Sequence, residues 1–181
     1  GIAAGLTLAA LFAYFVLRRG ADPIVAGTAL NVLALGLTGV VFRSLNPAGS
    51  ALARAPQMGE IAPALNLYLL VAIELVAGVA FYLGRTRSGL ALRAVGERAE
   101  AAHVQGVNVL RIRLGAVLFG GACAGLAGSS LVLWISDTFV EGMTSGRGFI
   151  ALSLVLFGGY RALRIVAGAL LFGAASALQF R

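Results

Sequence analysis

The side chains with the most potential for chemistry lie in one stretch, RAVGERAEAAHVQGVNVLRIR, which runs from Arg93 to Arg113. It holds six charged residues and the only histidine of the chain, His103. A metal would need further ligands at suitable spacing, and the stretch supplies none. The sequence also lacks a G-x-x-x-x-G-K-[ST] phosphate loop, an H-E-x-x-H helix and a C-x-x-C pair. We therefore predict no catalytic residue, no metal and no cofactor in this chain, and interpret His103 as a docking or surface residue.

The composition around this stretch is that of a membrane protein. Of 181 residues, 60% are apolar and 12% are charged, whereas about a quarter of the residues in a soluble domain are charged. All 14 basic residues are arginine and the net charge is +7. They lie at the ends of apolar runs without interleaved aromatic residues, which favours the positive-inside bias and excludes a nucleic-acid groove. The lone Cys123 can form no internal disulfide.

Apolar runs long enough to approach the thickness of a bilayer predict helices, because backbone amides in lipid must be satisfied within their own segment. The fold class predicted is an all-α polytopic membrane helix bundle with five to six spanning or re-entrant helices. The run Phe149–Tyr160 is too short for a full crossing and suits a re-entrant or broken helix. The runs are Gly1–Leu17, Ile24–Phe42, Ile61–Gly84, Leu114–Ile135, Phe149–Tyr160 and Ile165–Phe180.

The arginines also predict the orientation of these helices. If residues 85–113 are cytoplasmic and all six runs cross, ten arginines lie inside and four lie outside, which agrees with the positive-inside rule. The four outside are Arg43, Arg54, Arg147 and Arg181.

The elements that position the charged stretch are glycines and a short helix. Gly96 and Gly106 bracket the residues ERAEAAHVQ, which predicts a helix from Glu97 to Gln105 with its acidic residues in the first turn. Such a helix is too short to cross lipid and suits the cytoplasmic mouth of the bundle. At helical spacing a face of small side chains is expected to dock into a groove of another protein. That face comprises Ala99, Ala102, His103 and Gly106. A plain arginine-rich loop explains the charges equally well.

The sequence RAVGERAEAAHVQGVNV resembles the cytoplasmic coupling segment of ABC importer permeases for simple sugars, nucleosides and branched-chain amino acids. The stretches GTALNVLALGLTG and SDTFVEGMTSGRGFIALSLVLFG agree, and the second is most similar to the nucleoside and simple-sugar branch. The resemblance implies that the short helix docks into a cleft of an ATP-binding subunit. The matching coupling residues are Arg93, Gly96, Glu97, Glu100, Ala101, Ala102, Gly106 and Val107.

The resemblance also implies an assembly and a place in the cell. The expected partners are an ABC ATP-binding subunit that uses the ATP, a second permease subunit, an extracytoplasmic solute-binding protein and membrane lipid, without nucleic acid. The expected location is the bacterial inner membrane. Residues 1–181 are expected to form a single permease domain, a fragment of a longer chain, with 85–113 as its coupling segment. One departure is the turn GYRALRIVAG, with Ala162 and Arg164 where the branch has Pro and Gly.

Polar residues inside the apolar runs are candidates for a solute path. Asn31 and Thr38 lie seven residues apart on one helix face, and interhelical hydrogen bonding explains them about as well. Glu74 in the middle of a run is expected to face protein or water, either beside the path or hydrogen-bonded to a neighbouring helix. Trp134 and Phe139 lie at an outer helix end, where an interfacial anchor competes with a gate.

Small residues at a spacing of four predict close helix packing, although the same glycines suit hinges. These seams are Gly121, Gly125 and Ser129, followed by Ala169, Gly173 and Ala177. The function predicted is the permease subunit of an ATP-driven importer of a small polar solute, a nucleoside or a simple sugar. The alternatives are a stand-alone secondary transporter or channel, which needs no docking helix, and a membrane enzyme, for which Glu74 alone makes no cluster.

Overall fold

The computed structural model describes residues 1–45, 67–132 and 142–179, and every regular element in them is helical. The predicted all-α membrane bundle is confirmed in these residues. The chain forms two compact units, Gly1–Met143 and Thr144–Arg181. The helices are α1 (Ile2–Ala13), extended by a π-helical turn (Tyr14–Arg18), α2 (Pro23–Leu45), α3 (Leu67–Arg85), α4 (Arg87–Glu97), α5 (Ala99–Val104), α6 (Val109–Ser130), α7 (Arg147–Phe157) and α8 (Ala162–Gln179).

Two of these helices are long and apolar enough to cross a bilayer by themselves. They are the 22-residue segments Pro23–Ser44 in α2 and Val109–Ser130 in α6. Helices α3 and α4 pass the same test together but are bent by 81° at their junction. Three apolar helices are shorter, and α7 has only 11 residues, as expected of the run Phe149–Tyr160.

The outer surface of the described helices is largely hydrocarbon. Ile24 of α2 is 76% exposed, and Phe157 of α7 is 90% exposed. The buried apolar side chains among the described residues are few and small, namely Ala9, Ala13, Ala26, Val95 and Ala102. A surface of this kind belongs in lipid or against other apolar helices, because in water it would drive aggregation.

Helices α1 and α6 make the closest contact in the first unit, and residues without bulky side chains make it possible. Gly1, Gly5 and Ala9 of α1 recur every four residues, as do Gly121, Gly125 and Ser129 of α6. A Cβ added at Gly125 would lie 2.6 Å from the carbonyl oxygen of Gly1, and a Cβ at Gly121 would lie 2.8 Å from that of Gly5. The two backbones therefore touch directly, as in other membrane helix pairs with small residues in register.

The direction of this pairing places basic residues together. Gly1 is beside Gly125 and Ser129, whereas Ala9 is beside Gly121, so the two helices are antiparallel. The π-helical turn that ends in Arg18 consequently contacts α6 near its beginning. Arg18 and Arg19 lie at the same end of the helix pair as Arg111 and Arg113.

Helix α3 meets α4 at a sharp corner built around Thr86. The hydroxyl of Thr86 donates to the Tyr82 carbonyl oxygen at 2.6 Å and accepts from the backbone N–H of Gly89 at 3.0 Å. It therefore caps the start of α4 while it holds the end of α3. A Cβ at Gly89 would collide with the Tyr82 carbonyl oxygen and lie 2.8 Å from Leu83 Cα, so the corner requires glycine there.

In the second unit, α7 and α8 form a hairpin at the turn where the sequence departs from the resembling family. Gly159 and Tyr160 both have positive φ, 60° and 58°. The backbone N–H of Tyr160 donates to Val155 O, and that of Gly159 donates to Leu156 O, which ends α7 in a Schellman motif. The turn thus forms without the Pro and Gly that the family pattern led us to expect.

The contact between α7 and α8 uses a different helix face from the predicted seam. A Cβ at Gly158 would lie 2.7 Å from Ile165 Cγ1, and one at Gly168 would lie 3.1 Å from Leu154 Cδ2. Ala169, Gly173 and Ala177 are exposed within this unit. Helix α8 therefore contacts α7 through the face that carries Ile165 and Gly168, and the packing role of Ala169, Gly173 and Ala177 stays a prediction.

We expect Gly121→Leu to destabilise the chain by about 1–3 kcal/mol, because the new side chain must separate two backbones in contact. Gly120→Leu is the matched control, since no heavy atom lies within 4 Å of a Cβ at Gly120. Thermal unfolding of the detergent-solubilised full-length permease measures the difference. Equal unfolding midpoints for the two variants would show that the α1–α6 contact does not contribute to stability.

We expect Gly89→Ala to open the α3–α4 corner at a similar cost of about 1–3 kcal/mol. Thr86→Val should lower stability by about 1 kcal/mol through loss of the cap. The control is Gly84→Ala, at a position with open space around it. The same unfolding measurement applies, and a Gly89→Ala variant as stable as Gly84→Ala would contradict the described corner.

Candidate functional site

The coupling segment consists of two short helices rather than one. Helix α4 ends at Glu97, Arg98 is extended with φ −146° and ψ 93°, and α5 begins at Ala99. The prediction of one helix from Glu97 to Gln105 is therefore wrong at its start. Glu97 closes α4, and only Glu100 lies in the first turn of α5. Gly96 lies inside α4 and does not begin the helix that follows.

The helix ends before Gly106, as the position of this glycine predicts. Its φ is +81°, and its backbone N–H donates to His103 O at 2.9 Å. The N–H of Val107 donates to Ala102 O at 3.1 Å, which completes a Schellman motif. Asn108 then caps α6 by accepting from the N–H of Arg111 at 3.1 Å. The turn that joins α5 to α6 is therefore short, and hydrogen bonds hold it at both ends.

Burial shows which face of α5 is available to a partner. Ala102 is 3% exposed, and α5 contacts both α4 and α6. The predicted docking face is therefore wrong in this respect, because Ala102 is covered by the chain itself. Glu100 and Ala101 are exposed, and Val104 is 87% exposed. Helix α5 therefore exposes a face made of one carboxylate and two small apolar side chains.

Two anchors hold the segment against the rest of the first unit. Val95 of α4 is 4% exposed and Ala102 of α5 is 3% exposed, and α4 contacts α6 as α5 does. Arg93 and Glu97 are exposed, whereas Val107 is half-buried. The coupling segment therefore has one side that is buried within the first unit, next to α6, and another side that is exposed.

Val104 is the residue that the sequence reasoning missed. It is an apolar side chain between His103 and Gln105 near the end of a polar helix, and the predicted docking face omitted it. A lone valine on an otherwise polar turn is the signal that would have identified it.

The predicted solute-path residues are not brought together by the described contacts. Asn31 and Thr38 are exposed on α2, and the Thr38 hydroxyl donates to Ala34 O at 2.8 Å. Glu74 is exposed on α3. Trp134 and Phe139 lie outside the described residues. The role of these residues in a path stays a prediction.

A cleft of about 820 Å³ lies beside the coupling segment, between α3, α4 and α6. No group of three or more His, Cys, Asp or Glu side chains in residues 1–45, 67–132 and 142–179 is arranged to hold a metal. The cleft is mainly apolar, and sequence reasoning did not find it. It is lined by Leu75, Gly78, Val79, Tyr82, Leu83, Ser88, Ala91, Leu92, Arg111, Ile112, Gly115, Ala116 and Phe119.

Comparison with curated proteins finds relatives that are named as ABC transporter permeases. A putative glucose ABC transporter permease protein of Haloferax volcanii is 38% identical, covering 100% of this chain and 59% of the relative. A guanosine ABC transporter permease protein of Bacillus subtilis is 31% identical over 98% of the chain and 60% of the relative. A nucleoside ABC transporter permease protein of Lactococcus lactis is 30% identical over 96% and 59%. The chain thus spans about three fifths of the length of these relatives.

No solved structure matches the chain. The family described as "Branched-chain amino acid transport system / permease component" matches residues 1–180, nearly the whole sequence. Family membership accounts for the features described above: the apolar helices, the short helix ended by Gly106 and the arginine-rich end. The chain belongs to this family of transport-system permease components.

Proposed function

We propose that this chain is the membrane-spanning part of a permease subunit in an ATP-driven ABC importer. The observation that carries the proposal is α5, a short helix with an exposed face of Glu100, Ala101 and Val104 and a buried anchor at Ala102. A partner that binds this face can move α4 and α6 together, because α5 contacts both helices. The family match supports this use of the segment.

The proposed mechanism is alternating access. An ATP-binding subunit hydrolyses ATP, and its closure displaces α5. The turn at Gly106 passes the displacement to α6, while the corner at Thr86 passes it from α4 to α3. These helices tilt and change which side of the membrane has access to the solute path. A second permease subunit faces the first, and an extracytoplasmic binding protein delivers the solute.

A nucleoside or a simple sugar is the proposed solute. The relatives named above are called glucose, guanosine and nucleoside permeases, and they support a small polar solute over a branched-chain amino acid. The proposed location is the inner membrane of a bacterium, with the coupling segment on the cytoplasmic side.

We expect Val104→Arg to reduce capture of the ATP-binding subunit by at least about tenfold. Burying a valine contributes about 1.5–3 kcal/mol, and about 1.4 kcal/mol corresponds to a tenfold change in affinity. Gln105→Arg is the matched control, because it adds the same charge at the adjacent exposed residue. Co-purification of the ATP-binding subunit with the tagged full-length permease measures the effect.

Two results would contradict the docking proposal. Undiminished capture by Val104→Arg would remove Val104 from the interface. Absence of any ATP-binding subunit on the wild-type permease would favour a stand-alone secondary transporter or channel.

We expect a thiol at His103→Cys to react with a membrane-impermeant maleimide only from the cytoplasmic side. Thr144→Cys should react only from the outside. Thr144 lies three residues before Arg147, which the distribution of arginines predicts to be outside. Both variants are made in a Cys123→Ser background, which removes the one cysteine of these 181 residues, and labelling is compared in intact cells and inverted vesicles. Reaction of His103→Cys from the outside would exclude docking to a cytoplasmic ATP-binding subunit.

A further inference from the structure

The cleft between α3, α4 and α6 has its polar groups at one end only. Tyr82, Ser88 and Arg111 lie near the α3–α4 corner and the beginning of α6, whereas Leu75 and Phe119 line the other end. From Leu75 to Leu83, and equally from Arg111 to Phe119, eight residues of helix span about 12 Å. The cleft therefore runs along the spanning helices from a polar mouth into an apolar interior.

The charge at this mouth is positive and has no carboxylate partner in residues 1–45, 67–132 and 142–179. Arg111 is exposed, and no ion pair joins its guanidinium to a carboxylate among the described residues. Arg85 and Arg87 flank the corner. An anion at the mouth would meet the guanidinium group of Arg111 and the hydroxyl of Ser88, which together form a good donor set for phosphate.

The interior has room where glycines line the cleft. No heavy atom lies within 4 Å of a Cβ added at Gly78 or at Gly115, and both glycines line the cleft. The volume of about 820 Å³ is thus hydrocarbon-walled space that opens at the level where the arginines end the apolar runs. In a membrane this level is the interface between acyl chains and headgroups.

We infer that the cleft binds an anionic phospholipid, with an acyl chain along α3 and α6 and its phosphate at Arg111 and Ser88. The shape and the charge both match this ligand, since a phospholipid is apolar over most of its length and negative at one end. Basic pockets between spanning helices commonly bind such headgroups. The lipid would contact α4 at Ser88, Ala91 and Leu92, next to the coupling helix. The inference needs α3 and α6 to span a membrane, but it does not depend on ATP-driven import.

The test is native mass spectrometry of the purified full-length permease with palmitoyl-oleoyl phosphatidylglycerol or with the phosphatidylcholine of identical chains. We expect wild type to retain the anionic lipid preferentially. Arg111→Gln should lower that preference about fivefold, as loss of one arginine near the headgroups implies. Gly115→Leu should lower retention of both lipids, because the leucine side chain obstructs the cleft.

Two matched controls lie on the same helix and outside the cleft. Arg113→Gln removes the same charge, and Gly120→Leu adds the same side chain in open space. Both should retain the lipid as wild type does. Gly78→Leu fills the cleft from α3 and replaces Gly115→Leu if the latter unfolds in detergent. The inference is overturned if wild type shows no preference for the anionic lipid, or if the cleft variants and their controls retain it equally. Because lipid retention is measured without ATP or solute, it can fail while capture of the ATP-binding subunit succeeds.

Discussion

The direct contact between the backbones of α1 and α6 is the interaction on which the first unit depends. In lipid, helices gain no hydrophobic driving force by pairing, so they associate through van der Waals contact and hydrogen bonds. Glycine or alanine every fourth residue lets α1 approach until the carbonyls of Gly1 and Gly5 meet the glycines of α6. This fixes the position of α6, and α6 carries both the coupling turn at its beginning and one wall of the lipid cleft.

The coupling segment follows from the same constraint. Helix α6 begins at the cap of Asn108, and two backbone hydrogen bonds close the end of α5 at the Gly106 turn directly before it. Helix α4 reaches the same place from the other side because Thr86 bends the chain by 81° after α3. Force applied at α5 therefore has two rigid routes into the membrane, one through a Schellman turn and one through a capped corner.

The sequence predicts most of the fold because backbone amides in lipid must form their hydrogen bonds within their own helix. Six apolar runs predict helices, and each has a helix in the described residues. The end of the coupling helix is also predictable, since Gly106 takes a φ that other residues avoid. The start is not, because the break at Arg98 has no Gly or Pro to mark it. Helix α4 went unpredicted although Thr86 is a good capping residue.

The candidate surfaces were harder to predict than the helices. Which face of α5 is exposed depends on α4 and α6, so periodicity placed Ala102 on the wrong side. In α8, small residues recur at Ala169, Gly173 and Ala177 while α7 contacts Ile165 and Gly168, so spacing alone does not identify the helix that a row of small residues contacts. The cleft arises from the angle between α3 and α4, which no local pattern encodes.

Within the part of the chain that the structure describes, four of the five buried apolar side chains are alanines, and this has a consequence for how the bundle responds to temperature. Alanine and glycine lose no rotamer freedom on burial, and the pairing of α1 with α6 removes little apolar surface from water. Burial from water carries a large heat-capacity change and weakens on cooling, whereas dispersion between touching atoms does not. The free energy of helix pairing should therefore change little between cold and warm growth. The free energy of a core formed by burial of apolar surface from water would change more.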